Sequence, residues 1–339
     1  MMVTGTALRS MNCVFTGPNE VEWREEEVRQ PGPRDLLCRA VVSLISPGTE
    51  LACLKGTFDS GTGWASWVQY PFHPGYSMTA EVLWAGPEVV GIRAGDRIVC
   101  QERHRQLFVI DSREASRLPE TVSEEEGTFV QLAKVALLGV LRGKTRLGER
   151  AGVVGLGLLG QLVIQFLALS GARSITAISP SSNRLALARL SGATDLIPEE
   201  AQEAIGRVKE QSGGRMLDTV YEVTGNPEVL SCCTMMAKEF GKVVLLGDTT
   251  QTSRQTVGPK VVFNAVSIIG VHGRLIDGYE GWTEREREEL IFNWMHRKKL
   301  RMNHLITDSV HPLEAGAAYE RLSAKGTEEM GVLIDWTRL

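Results

Sequence analysis

Three glycines stand at a spacing that lets a backbone approach a pyrophosphate. In AGVVGLGLLGQLVIQFLALSGA, Gly155, Gly157 and Gly160 follow an apolar run of strand character and open a stretch of helical periodicity. The first glycine permits a tight turn, the second lets phosphate reach the backbone, and the third allows close helix–strand packing. The helix N-terminus then attracts the anion. With Leu156, Leu158 and Leu159 between the glycines, the segment is a candidate dinucleotide site. About 20 residues on, chains that bind NAD carry an acid that holds the ribose hydroxyls. Here the sequence reads ITAISPSSNR, with Ser179 at that place. A carboxylate would repel a 2′-phosphate, whereas Ser179 and Ser181 can donate hydrogen bonds to one and Arg184, beside Asn183, can pair with it. NADP(H) is the cofactor this pattern favours over NAD(H). Ser181, Ser182 and Asn183 also have the types that cap a helix, in which case Arg184 is simply solvated.

Further residues fall where the rest of such a cofactor would lie. TVYEVTGNPEVL and GKVVLLGDTT are strand-to-loop transitions, which makes Thr224, Gly225, Leu246, Gly247 and Asp248 candidate neighbours. Val271 and His272, in GVHGRL after another strand-like run, are further candidates, although a lone loop histidine is often structural. The glycine-punctuated loop GTFDSGTGWASWVQYPF brings Trp64 and Trp67 close to Tyr70 and Phe72 in sequence. It suits a pocket for a bulky or flat apolar substrate, and equally packing beneath a long loop.

The elements that must position these residues change character along the chain. From Met11 to about Thr145, short strand-like runs alternate with turns such as Pro31-Gly32-Pro33, Pro47-Gly48 and Pro74-Gly75. From Glu149 onward, strands alternate with helices in the order that builds a doubly wound parallel sheet. The strand candidates are Ala151–Val154, Ser174–Ile178, Thr219–Glu222, Lys242–Leu246 and Ser267–Gly270, and the helical ones Leu159–Leu169, Asn183–Leu190 and Val229–Lys238. The final run, GVLIDW, has no sheet of its own and is expected to return to the first domain. The predicted class is therefore α/β. Residues 1–145, completed by 286–339, form a mostly-β domain, and 146–285 form the nucleotide-binding domain.

Composition narrows the partners. The 339 residues carry 37 Lys and Arg against 41 Asp and Glu, a net charge of -4 with both signs dispersed, which gives no footprint for nucleic acid. No apolar run reaches the length of a membrane-spanning helix, and the N-terminal segment lacks a basic stretch followed by an apolar core. A small-molecule substrate, no membrane partner and a cytoplasmic location are expected. The six cysteines lack a Cys-x-x-Cys pair and read as reduced, buried thiols.

Over nearly its full length the sequence resembles the medium-chain dehydrogenase/reductase superfamily, in particular its sorbitol- and threonine-dehydrogenase-like branch. The carriers are PGPRDLLCRAVVSLISPGTE, HPGYSMTAEVLWAG, AGDRIV, VVGLGLLG and YEVTG. The resemblance implies a GroES-like, mostly-β catalytic domain plus a Rossmann domain, and a homodimer formed through the Rossmann edge strand near Val266–Val271. Zinc-dependent members show Cys-Gly-Thr/Ser-Asp and Gly-His-Glu segments, whose cysteine and histidine bind the catalytic metal. This chain has Pro47-Gly48-Thr49-Glu50 and Gly75-Tyr76-Ser77, and the third ligand position aligns with Gln131. A catalytic zinc needs three good ligands and an open position, so no zinc is expected. The structural zinc lobe is also missing, since CQERHRQLFVIDSRE keeps only Cys100. The Ser-Pro-Gly-Thr-Glu and Pro-Gly-Tyr-Ser variants are similar to a subgroup that includes the bacteriochlorophyllide-type dehydrogenases.

Without a Lewis acid, a hydrogen-bond or proton donor must face the oxygen that becomes negative during hydride transfer to a carbonyl. Tyr76, at the lost ligand position, is the first candidate. Thr49, where the family relays a proton through a hydroxyl, is the second, and Glu50 is expected to orient its neighbours. Tyr76 could instead be an aromatic filler of a vacated metal pocket. Lys134 lies on an otherwise apolar helix and either reaches the cleft or snorkels outward. An NADP(H)-dependent, zinc-independent carbonyl or alcohol oxidoreductase is the leading expectation. Reduction of a polarised C=C or C=N bond and a non-catalytic NADPH-binding sensor or accessory protein are the alternatives.

Overall fold

Alternation of side chains explains why the first part of the chain builds a sheet. In the strand Asp35–Leu44, Leu36, Cys38, Ala40 and Val42 are buried while Arg39 points to water. The computed structural model describes residues 7–275 and 279–339. They form an α/β protein of two compact units: one comprises residues up to Gly56, 66–131 and 306–339, the other 57–65 and 132–305.

The first unit is built on a mixed seven-stranded sheet. Its order runs Ile306–Val310, Gly331–Asp335, Asp35–Leu44, Met78–Ala85, Arg97–Cys100 and Ala115–Arg117, with Leu107–Asp111 also paired to Asp35–Leu44. The strand from GVLIDW does return here, antiparallel, with Leu333 opposite Leu44. A separate hairpin joins Arg9–Gly17 to Glu20–Glu27. The helix Pro47–Lys55 begins with proline just after Ser46 and ends at Gly56, whose φ of 64° is left-handed. A Cβ on Gly56 would lie 2.4 Å from the Tyr70 hydroxyl, so both space and backbone demand glycine there.

The second unit is a parallel six-stranded sheet in the order Asp195–Ile197, Ser174–Ile178, Arg150–Val154, Leu217–Glu222, Ala237–Leu245, Ser267–Gly270. Numbered along this unit, that is 3-2-1-4-5-6, the Rossmann order, whose switch point falls between Arg150–Val154 and Leu217–Glu222. The three-residue strand Asp195–Ile197 escaped the sequence patterns, and the helix starting at Val229 stops at Met236 because the next strand begins at Ala237.

The boundaries at 145/146 and 285/286 shift outward. Most of the helix Val130–Gly143 and all of Glu284–His296 belong to the second unit. Buried contacts within that unit explain it. Lys134 pairs with Glu284 and Glu288, a Cβ on Gly139 would press on Leu246, and Phe166 packs on Trp294 with ring centroids 5.7 Å apart.

Candidate active site

The glycine turn has the shape its spacing implies. Gly155 adopts φ 95°, and a Cβ on Gly160 would fall 2.0 Å from the Gly155 carbonyl oxygen, so the helix Leu158–Leu169 meets the strand only without a side chain. Gly157 is the N-cap of that helix, with no side chain bonded to its amides and open space where a Cβ would be. Amides and room together make a seat for phosphate. Across the switch point, a Cβ on Gly155 would lie 2.8 Å from the Thr224 methyl, and the Val223 amide donates to the Val154 carbonyl at 2.9 Å. Gly225 and Gly247 are equally close, since a Cβ on Gly247 would sit 2.3 Å from the Gly225 amide. Gly155, Thr224, Gly225, Gly247 and Asp248 thus form one continuous strip at the carboxyl ends of neighbouring strands.

At the end of the strand Ser174–Ile178, Ser179 is buried and its hydroxyl oxygen accepts the Ser181 amide at 3.2 Å. Ser181 caps the helix Ser182–Ser191 by accepting the Arg184 amide at 3.3 Å. Both serines therefore have local structural roles, and each hydroxyl keeps its proton free to donate. Arg184 is half-buried, burial pushes its guanidinium pKa down, and its Nε has no partner among the described residues. The exposed His272 accepts the Arg274 amide at 3.1 Å, and the Val271 amide donates to Leu245 at 3.0 Å.

In the first unit, Thr49, Glu50, Trp67 and Tyr76 line one pocket together with Cys53, Phe72, His73, Gly75 and Arg103. The Tyr76 hydroxyl lies 2.6 Å from Ser46 Oγ and also bonds the Thr49 hydroxyl. Burial pushes its pKa up, so the phenol keeps its proton. Glu50 is buried and saturated. Its Oε1 accepts the Ser46 amide at 2.8 Å, and its Oε2 is bonded by His104 Nε2 at 3.0 Å and by the Tyr319 hydroxyl. His104 Nδ1 lies 2.8 Å from Ser43 Oγ, which accepts the Trp336 indole N–H at 2.9 Å. This chain of bonds holds the turn that carries Ser46 and Thr49, so Glu50 orients its neighbours. Trp67 stands edge-on to Phe72, with centroids 5.3 Å apart. Trp64 stacks on Phe58, with ring centroids 5.9 Å apart.

Comparison with known proteins agrees with this architecture. A family model described as zinc-binding dehydrogenase matches residues 159–287. L-threonine 3-dehydrogenase from Pyrococcus abyssi is 25% identical over 292 residues, spanning 76% of this chain and 80% of that protein. (R,R)-butanediol dehydrogenase from Bacillus subtilis is 28% identical over 203 residues, 52% of this chain and 58% of its own length. The chain is thus similar in sequence to medium-chain zinc-type dehydrogenases. Among solved structures, that of 2R,3R-butanediol dehydrogenase from Bacillus subtilis has the same fold with a TM-score of 0.77 at 19% identity, covering 96% of this chain and 99% of that one. A Sinorhizobium meliloti protein assigned as a zinc-binding dehydrogenase and bound to NADP gives 0.80 at 20% identity, covering 97% and 99%.

At the three positions that the family resemblance aligns with zinc ligands, this chain has Pro47, Tyr76 and Gln131. Pro47 starts a helix, the Tyr76 phenol is bonded to Ser46, and Gln131 accepts from Gln101 Nε2 at 3.3 Å. These three residues do not make a zinc donor set, and no group of three or more His, Cys, Asp or Glu able to hold a metal stands among the described residues. Nor is any helix there long and apolar enough to cross a membrane. Lys134 does not snorkel outward: it is 2% exposed and ion-paired with Glu284 and, at 2.8 Å, with Glu288. Ser46, Tyr319 and Arg103 join the site without having been singled out for it. Their partners lie as far as 269 positions away, a separation that leaves no local pattern.

Proposed function

We propose that this chain is a zinc-independent, NADP(H)-dependent oxidoreductase that moves hydride between nicotinamide and the carbonyl or alcohol of a bulky or aromatic small molecule. The observation that carries it is the hydroxyl cluster of Tyr76, Ser46 and Thr49, held over Glu50 where zinc-type relatives place metal ligands. NADPH, when bound, supplies the hydride from C4 of its nicotinamide. The amides after Gly157 seat the pyrophosphate, and Arg184, half-buried with an unpartnered Nε, supports a 2′-phosphate.

During reduction the substrate oxygen gains negative charge, and the protonated Tyr76 phenol donates first a hydrogen bond and then its proton. One hydride and one proton complete the alcohol. Ser46 and Thr49 donate to the resulting phenolate oxygen, while Glu50, fixed by three donors, keeps their turn in place. Trp67 and Phe72 face the apolar part of the substrate. The active form is a soluble homodimer joined through the edge strand Ser267–Gly270.

Titration of zinc-quantified protein with NADPH and NADH tests this. NADPH binds more tightly, Arg184→Ala loses at least about tenfold towards NADPH but not NADH, and Tyr76→Phe lowers carbonyl turnover by about 10². A preference for NADH, one zinc per chain, or indifference to Tyr76→Phe would overturn the proposal. With the last result, retained NADPH binding would mark a non-catalytic protein.

A further inference from the structure

Arg103 lines the same pocket as Tyr76, Thr49 and Trp67, yet no described residue pairs with its guanidinium. The acid next to it, Glu102, is taken by Arg105 at 3.4 Å and by the Arg103 backbone amide at 2.8 Å. The other basic group of the pocket, His73, is held by Glu26 at 3.0 Å, and the one acid, Glu50, is buried beneath three donors. Arg103 is therefore the pocket's uncompensated charge.

Its backbone is fixed. The next residue, His104, is wholly buried and bonded to Ser43 and Glu50, its amide donates to the Pro74 carbonyl at 2.9 Å, and its carbonyl accepts the Cys13 amide at 2.9 Å. Gly75 lies so close that a Cβ there would come within 2.6 Å of the His104 amide. The segment carrying Arg103 is thus clamped against the turn carrying Tyr76. The pocket offers an aromatic wall, a hydroxyl cluster and an exposed guanidinium fork, the donor geometry that matches a planar carboxylate.

Resting on the hydride-transfer function above, we propose that the substrate carries a carboxylate on its apolar body and that Arg103 binds it, making this protein specific for apolar or aromatic oxo- or hydroxy-acids. The carboxylate takes no part in bond making, so Arg103 sets affinity and selectivity while Tyr76 serves the reacting oxygen.

Calorimetry with benzoate and benzyl alcohol, on wild type, Arg103→Ala and Arg103→Lys, tests the binding without relying on turnover. Benzoate binds wild type more tightly than benzyl alcohol does, and its binding weakens with added salt. It loses at least about tenfold in Arg103→Ala and recovers in part in Arg103→Lys, while benzyl alcohol is unaffected. Because Arg103 is exposed, the thermal midpoint of each variant should match wild type and exclude misfolding. In the parallel assay, 4-carboxybenzaldehyde is reduced with a lower KM than benzaldehyde, and Arg103→Ala erases the difference. Benzoate binding that is absent, or equal in wild type and Arg103→Ala, would overturn the proposal. Arg103-dependent benzoate binding with no reduction of either aldehyde would leave the carboxylate site standing and sink the hydride-transfer function instead.

Discussion

Two buried carboxylates in this protein are treated in opposite ways. Glu50 is surrounded by donors from a backbone amide, an imidazole and a phenol, which is how a carboxyl group is made tolerable without water. Glu222, at the end of the strand Leu217–Glu222, is also wholly buried and accepts the Thr224 amide at 2.6 Å and the Thr224 hydroxyl. Here burial outweighs those bonds, and the pKa rises to about 7 from the ordinary 4.5. The folded state then holds a proton that the unfolded chain releases at lower pH. Below pH 4.5 both states are protonated and the group costs nothing; between 4.5 and about 7 stability falls as pH rises; above 7 the full penalty, on the order of 3 kcal/mol, is present. Glu222→Gln removes this titration. Its thermal midpoint should match wild type near pH 5 and exceed it near pH 8, as scanning calorimetry at the two values would read. Parallel pH profiles for the two proteins would show that Glu222 is ionised throughout.

The glycine turn separates two uses of glycine within one element. Gly160 is required by packing, because any side chain would strike the Gly155 carbonyl, whereas Gly157 faces open space. Gly160→Ala should therefore lower the thermal midpoint of the nucleotide-binding unit and weaken NADPH binding together. Gly157→Ala should keep the wild-type midpoint and lose affinity alone, since its methyl group intrudes only on a bound phosphate. Differential scanning fluorimetry and NADPH titration of both variants check this, and equal effects from the two would refute the assignment. This turn was legible in the sequence because strand, glycine spacing and helix follow one another within about 20 residues. The Tyr76 pocket was legible only in part. Thr49, Glu50, Tyr76 and Trp67 stood out through family positions and aromatic type, but Tyr319 meets Glu50 from the distant helix Ala315–Ser323 and His104 from the loop between the strands Arg97–Cys100 and Leu107–Asp111. Trp64 and Trp67, three residues apart in one loop, went to different units, and no period in the sequence marks that division. The burial of Lys134 left no local signal because its partners, Glu284 and Glu288, lie some 150 residues away.

For the molecule as a whole, the unanswered physical demand lies at the open edge of the parallel sheet. The strand Ser267–Gly270 ends the strand order and pairs only with Ala237–Leu245 among the described strands, leaving one row of backbone donors and acceptors without a strand partner. Beside it, Phe240 is 80% exposed, Val262 90% and Phe263 91%, and the Phe240 amide donates to the Asn264 carbonyl, which ties the patch to the strand's approach. Isolated exposed apolar residues are ordinary, but large ones gathered at an unpaired edge call for a cover. A second copy placed about a twofold axis would pair the two edges and bury both patches with one self-complementary surface. Phe263→Asp puts a charge into that patch without touching the core of the unit, so folding should survive while association fails. In sedimentation velocity the wild-type chain should run as a dimer at micromolar concentration and Phe263→Asp as a monomer with an unchanged circular dichroism spectrum. A wild-type monomer, or a dimer indifferent to Phe263→Asp, would place the cover of this edge elsewhere.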